Sequence, residues 1–132
     1  NKPFIATHSN SRTITQNPRN LTDEQIKIII QRGGIIGLNL HGAFLNNNPD
    51  KACMEDVLRH CEHMLSLGCE NSLCFGTDFD GCDLPRDIVG SDSIGEIYEL
   101  FLRNNYNESI LKKIFYENAY NFFENFDNQR IM

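Results

Sequence analysis

The chain has no apolar run near the roughly 18 residues needed to cross a bilayer, so no membrane segment is expected within it. It also lacks any cluster of basic residues. Its 12 lysines and arginines are scattered among 18 acidic residues, for a formal net charge of -6, and such a surface neutralises few phosphates, which excludes nucleic acid as an expected partner. Prolines number only 4 in 132 residues, beside 40% hydrophobic and 23% charged residues. That balance belongs to a folded core rather than a disordered chain. No CxxC pair occurs among Cys53, Cys61, Cys69, Cys74 and Cys82. An odd set without that spacing excludes a disulfide framework and a structural zinc knuckle, and reduced thiols in a cytoplasmic protein are the expectation. The opening residues, Asn1-Lys2-Pro3-Phe4, lack the apolar centre of a signal peptide.

What is present is a set of short elements. Phe4 to Thr7 is a short, mostly apolar segment that predicts a strand, followed by His8-Ser9-Asn10 and a polar loop. Thr22-Asp23-Glu24-Gln25 has the form of a capping box, and Ile26, Ile29 and Ile30 follow at helical spacing until Gly33-Gly34. Ile35 to Asn39 predicts a second strand, with a loop from His41 to Asp50. From Lys51 to Leu67 the apolar residues Met54, Val57, Leu58, Cys61, Met64 and Leu65 form one helical stripe. Leu73 to Gly76 predicts a third strand, and helices are expected over Ile94 to Leu102 and from Asn107 to Phe126, with a frayed tail after Asp127. The sequons beginning at Asn20 and Asn107 fall at helix starts and are read as capping chemistry.

Strands apolar on both faces and separated by helices imply parallel βα units. Three such strands cannot close a barrel, and alone they leave edges exposed, so the pattern reads as part of a domain. Catalytic groups of parallel sheets gather at the C-terminal strand ends. The first strand runs into His8, the second into Asn39 and His41, and the third into Asp78 and Asp80. All are residues of metal-binding or acid/base type. Asp78-Phe79-Asp80-Gly81 is not a calcium loop, because its twelfth position is Val89 rather than glutamate. Arg19, in a loop just before a helix start, is free to meet an anion. His60 and His63 are expected on the outer flank of the second helix, facing solvent or a neighbouring helix, and Cys53 and Cys61 are expected to pack rather than react.

Phe4-Ile5-Ala6-Thr7-His8-Ser9-Asn10-Ser11-Arg12 followed by Asn17-Pro18-Arg19-Asn20-Leu21-Thr22-Asp23 resembles the signature of the renal dipeptidase family, peptidase M19. Arg32 to Asn39, Phe75 to Gly81 and Glu117 to Phe123 resemble later motifs of that family, in order, so that the resemblance spans essentially the whole chain. It implies an α/β fold, the last three βα units of a (β/α)8 TIM-type barrel of the amidohydrolase type, with residues 1–132 as its C-terminal portion and the N-terminal part absent. It further implies two zinc ions, hydrolysis of dipeptides, His8 as a zinc ligand, Arg19 on the substrate carboxylate, and Asp78 as a catalytic and substrate-binding aspartate. The family's other metal ligands lie upstream of the matched segment. The chain alone is therefore expected to be inactive, and its exposed sheet edges to favour self-association. Thr7, Thr77 and Leu40-His41 depart from the family's usual residues, so that a substrate pocket of altered shape is expected, with His41 a candidate to line it. A related amidohydrolase acting on another amide or an acylated amino acid would use Arg19 equally well, and a non-catalytic remnant is the remaining alternative.

Overall fold

Four-residue and shorter runs of branched and apolar residues build the sheet. The computed structural model describes residues 3, 5–77 and 82–131, the side chains of 126–131 excepted. Strands β1 (Ile5–Ala6), β2 (Ile35–Leu38) and β3 (Leu73–Phe75) lie in sequence order and pair in parallel. Ile5 stands opposite Ile35, and Gly37 opposite Cys74. All four residues of β2 are buried, as expected of a parallel strand covered on both faces. The start of the first predicted strand, Phe4, lies outside the described residues.

Helix α1 (Asp23–Gln31) begins where its capping box places it: Thr22 Oγ1 accepts from the Gln25 N–H at 3.2 Å and Gln25 Oε1 from the Thr22 N–H at 2.9 Å. A later start than expected marks α3 (Met54–Ser66). Residues Pro49–Lys51 form a separate 3-10 turn, and the Asp56 carboxylate accepts from the Cys53 N–H, so the helix is capped at Cys53 instead of running on from Lys51. The loop after β2 also contains a one-turn helix, α2 (Gly42–Leu45), and a second 3-10 turn covers Cys69–Asn71. Beyond β3, α4 (Ser93–Arg103) is followed by α5 (Glu108–Lys112), a π turn (Lys113–Glu117) and α6 (Asn118–Ile131). Asn107 caps α5, as its sequon position implied. The last helix, α6, extends to Ile131.

One core joins these layers. Ile26 and Ile29 of α1, Val57, Cys61 and Met64 of α3, and Ile97 and Phe101 of α4 pack with Ile36, Leu38 and Leu73 of the sheet. Phe115 meets Phe75 at 4.7 Å and Tyr98 at 5.2 Å, and the Asn118 side chain donates to the carbonyls of Glu70 and Leu73, both at 2.8 Å. The π turn thereby sets the last helix against the start of β3. At the other end of the strands, a Cβ on either Gly37 or Gly76 would collide with the Thr7 carbonyl. The chain leaving β1 crosses there with no space for a side chain, and neither collision can be relieved by rotating a side chain. Gly76→Ala is expected to destabilise the protein by about 3 kcal/mol or more, read as a lowered urea midpoint; an unchanged midpoint would contradict this packing.

Candidate active site

His8 leaves the end of β1 exposed, with its Nδ1 2.6 Å from the Thr7 hydroxyl. When Nδ1 carries the proton and donates it to Thr7, Nε2 turns a lone pair outward, the state a metal ligand requires. Its backbone is pinned from both sides. The Ser9 N–H donates to the Gly37 carbonyl at 2.9 Å, and the buried Asn10 amide bonds both backbone groups of Asn39, accepting from its N–H at 2.7 Å and donating to its carbonyl at 2.8 Å. Asn10 thus continues the β1–β2 ladder with a side chain. The Asn39 side chain in turn accepts from the His41 N–H at 2.7 Å.

The end of β3 is tied to the same place, since the Leu40 N–H donates to the Thr77 carbonyl at 3.4 Å. Residue 83 returns to it as well: the Asp83 N–H donates to His41 Nδ1 at 3.0 Å, and its carbonyl accepts from the Gly42 N–H at 2.9 Å. With Nδ1 accepting, neutral His41 carries its proton on Nε2. Its ring meets Phe44 edge-on at 4.8 Å, and the Arg19 guanidinium carbon lies 5.9 Å from the centre of the Phe44 ring. The structure therefore brings the segments bearing His8, His41 and Arg19 to one end of the sheet. Asp78 follows Thr77 in the chain but lies, with Phe79, Asp80 and Gly81, outside the described residues. Asn10 and Phe44, which complete this arrangement, were not among the expected site residues. Asn10 stands two residues past His8 with no turn motif around it, and Phe44 falls in the stretch His41 to Asp50 whose sequence predicts only a loop.

The two helix histidines behave differently. His63 meets a neighbouring helix as expected, its Nε2 2.9 Å from Asp23 of α1, and that hydrogen bond is the main reason the Asp23 carboxyl titrates below its ordinary value. His60 does not face solvent, the first of the two expected settings, but bonds to Leu45 at the end of α2. It is 0% exposed, because residues 9–20 fold over α3 and cover it. Burial pulls its pKa down to about 4. In the unfolded chain histidine titrates near 6.5, so the folded state prefers the neutral ring, and stability that is present above pH 6.5 is lost as pH falls toward 4. The expected loss is about 3 kcal/mol over that window, measured as the pH dependence of the urea midpoint, and His60→Gln should flatten it.

None of the five cysteines is in a disulfide. Burial pushes Cys69 to about 12 and Cys74 to about 11 and raises Cys61 further, so these three are inert packing groups at neutral pH. Among the described residues no three His, Cys, Asp or Glu side chains come together to hold a metal ion, and no helix is long and apolar enough to cross a membrane.

Active sites of parallel sheets form at the C-terminal strand ends, where this chain gathers the segments of two histidines and an arginine, and comparison with known proteins decides the family. The sequence profile of the membrane dipeptidases, peptidase family M19, matches residues 1–130. The chain belongs to that family. Dipeptidase AC, a metallopeptidase of family M19, superimposes with a TM-score of 0.88 at 32% identity over 93% of this chain and 37% of its own. A metallopeptidase from Rhodobacter sphaeroides, solved with a phosphinate mimic of the dipeptide L-Ala-D-Ala, has the same TM-score and identity, over 94% of this chain and 36% of its own. The protein in the pqqA 5' region of Klebsiella pneumoniae is 29% identical over 119 residues, which are 88% of this chain and 44% of that protein. The M19 chain described above thus spans less than half the length of each of these relatives.

Proposed function

We propose that this segment forms the last three βα units of a (β/α)8 barrel and that the longer protein hydrolyses dipeptides with two zinc ions at the C-terminal strand ends. The observation that carries this reading is the gathering of the His8, His41 and Arg19 segments at one end of a parallel sheet, in a chain of a dipeptidase family. The dipeptide mimic bound by the Rhodobacter relative supports the substrate class.

His8 fits a zinc site as a single exposed imidazole with its second nitrogen held by a hydroxyl, and because the described residues form no group of three ligands around it, this reading assigns further ligands to the longer protein. Zinc, when bound there, supplies a water acidified to roughly pKa 7 and a Lewis acid for the scissile carbonyl. The chain's own residues do the orienting. Arg19 takes the substrate's free carboxylate through two parallel N–H groups, a contact that favours dipeptides over longer peptides. Phe44 beneath the guanidinium limits its swing. Asp78 receives the proton of the attacking water or holds the substrate ammonium.

A zinc-supplied assay on the full-length protein, beside the 132-residue chain, tests both parts. The full-length protein is expected to cleave dipeptides and to spare N-acylated amino acids, and the chain alone to give negligible turnover, since catalytic zinc takes about three protein ligands. Turnover by the chain alone that His8→Ala abolishes would sink the second part, and a preference for acylated amino acids would sink the first.

A further inference from the structure

His60 is fully buried under a polar loop, and its partners explain why it is there. The Ser11 N–H can only donate, and it reaches His60 Nδ1 at 3.1 Å. The single ring proton of the neutral imidazole therefore lies on Nε2, which is 3.1 Å from the Leu45 carbonyl and 3.0 Å from the Thr15 hydroxyl. One ring thus grips two places in the loop that follows β1 and one at the end of α2.

Both gripped segments lead to Arg19. From Ser11 and Thr15 the loop runs through consecutive short-range bonds: Thr15 N–H to the Ser11 carbonyl at 3.1 Å, Asn17 N–H to the Thr15 carbonyl at 2.8 Å, and Arg19 N–H to Asn17 Oδ1 at 2.9 Å. Leu45, on the other side, follows Phe44, the ring over which the Arg19 guanidinium sits. Asn20, also buried, closes the circuit by donating to the carbonyls of Thr15 at 3.1 Å and Phe44 at 2.9 Å. His60 therefore bonds to both the loop that carries Arg19 and the turn that carries Phe44, at a position where an apolar side chain would leave the Ser11 N–H and the Leu45 carbonyl without these partners.

We propose that His60 is a positioning residue for recognition of the substrate carboxylate: it locks the Arg19 loop to the Phe44 turn and so fixes where the guanidinium meets the substrate. This rests on the dipeptidase function proposed above and assigns to the same site a support that lies outside it. It differs from a merely structural role in what it alters, since an arginine displaced by about 1 Å loses alignment with the carboxylate while the hydrolytic groups stay in place.

The test uses the full-length zinc-loaded protein carrying His60→Gln, which keeps a donor at the Nε2 position, and Thr15→Val, which removes one grip without emptying the core. Each variant is assayed with a dipeptide and with the same dipeptide amidated at its C-terminus. His60→Gln is expected to raise KM for the free acid by about tenfold to a hundredfold with kcat nearly unchanged, and to leave the amidated substrate unaffected. Thr15→Val should do the same to a smaller extent. In an Arg19→Ala background the effect of His60→Gln on KM should vanish. A lowered melting temperature with KM unchanged in both variants, or losses that simply multiply in the double variant, would overturn the positioning role alone. No hydrolysis of any dipeptide by the unsubstituted protein would overturn the dipeptidase function, and the positioning role with it.

Discussion

His8→Ala in the full-length protein is expected to remove dipeptidase activity by on the order of a thousandfold or more and to lower the bound zinc per chain. Changing a residue that merely supports a metal ligand costs about 10- to 100-fold in metal affinity or activity, so deleting a ligand itself must cost more. The fold should survive the change, because the His8 side chain is exposed while Ser9 and Asn10 hold the backbone through Gly37 and Asn39. Metal analysis and kinetics on protein with an unchanged melting temperature are the measurements. Full zinc occupancy and wild-type turnover in His8→Ala would remove His8 from the metal site. Thr7→Val, which takes away the hydroxyl beside Nδ1, should give a smaller loss of zinc affinity in the same direction.

The second large effect is expected at Arg19. Arg19→Ala should lower kcat/KM for dipeptides with a free C-terminal carboxylate by on the order of a hundredfold, the equivalent of about 3 kcal/mol for a lost charge-assisted pair of hydrogen bonds. Arg19→Lys should recover little, because a single ammonium reproduces neither the planar fork nor its stacking on Phe44. Amidated dipeptides should be hydrolysed equally by the wild type and Arg19→Ala. Stability should change little, since the guanidinium is exposed and the loop is held through Asn17 and Asn20. Equal losses on free and amidated substrates would show that Arg19 does not read the carboxylate.

Much of the scaffold was legible in the sequence because it is written in local or periodic terms. Thr22 and Gln25 start α1 across three residues, Asn107 caps α5 across two, and the apolar run of β2 declares a strand buried on both faces. Order and parallel pairing of the strands follow from the alternation with helices. His8 and Arg19 were legible as candidates for the same reason: one ends a strand and the other precedes a helix cap, and both stand in motifs resembling the M19 signature.

What the tertiary structure alone decided are contacts between residues far apart in the chain, which carry no local signature. The Asn10 and Asn39 pairing spans 29 residues, and the His60 contact with Ser11 spans 49. Helical periodicity places His60 on the flank of α3 but does not reveal that a polar loop will cover that flank and turn it into core. Likewise Phe44 looks like loop until Gly42–Leu45 closes a helical turn and sets its ring between His41 and Arg19. The sequence by itself determined which groups stand at the strand ends; only folding determined how they are held, because hydrogen bonds across tens of residues form only after the sheet and helices have brought their partners together.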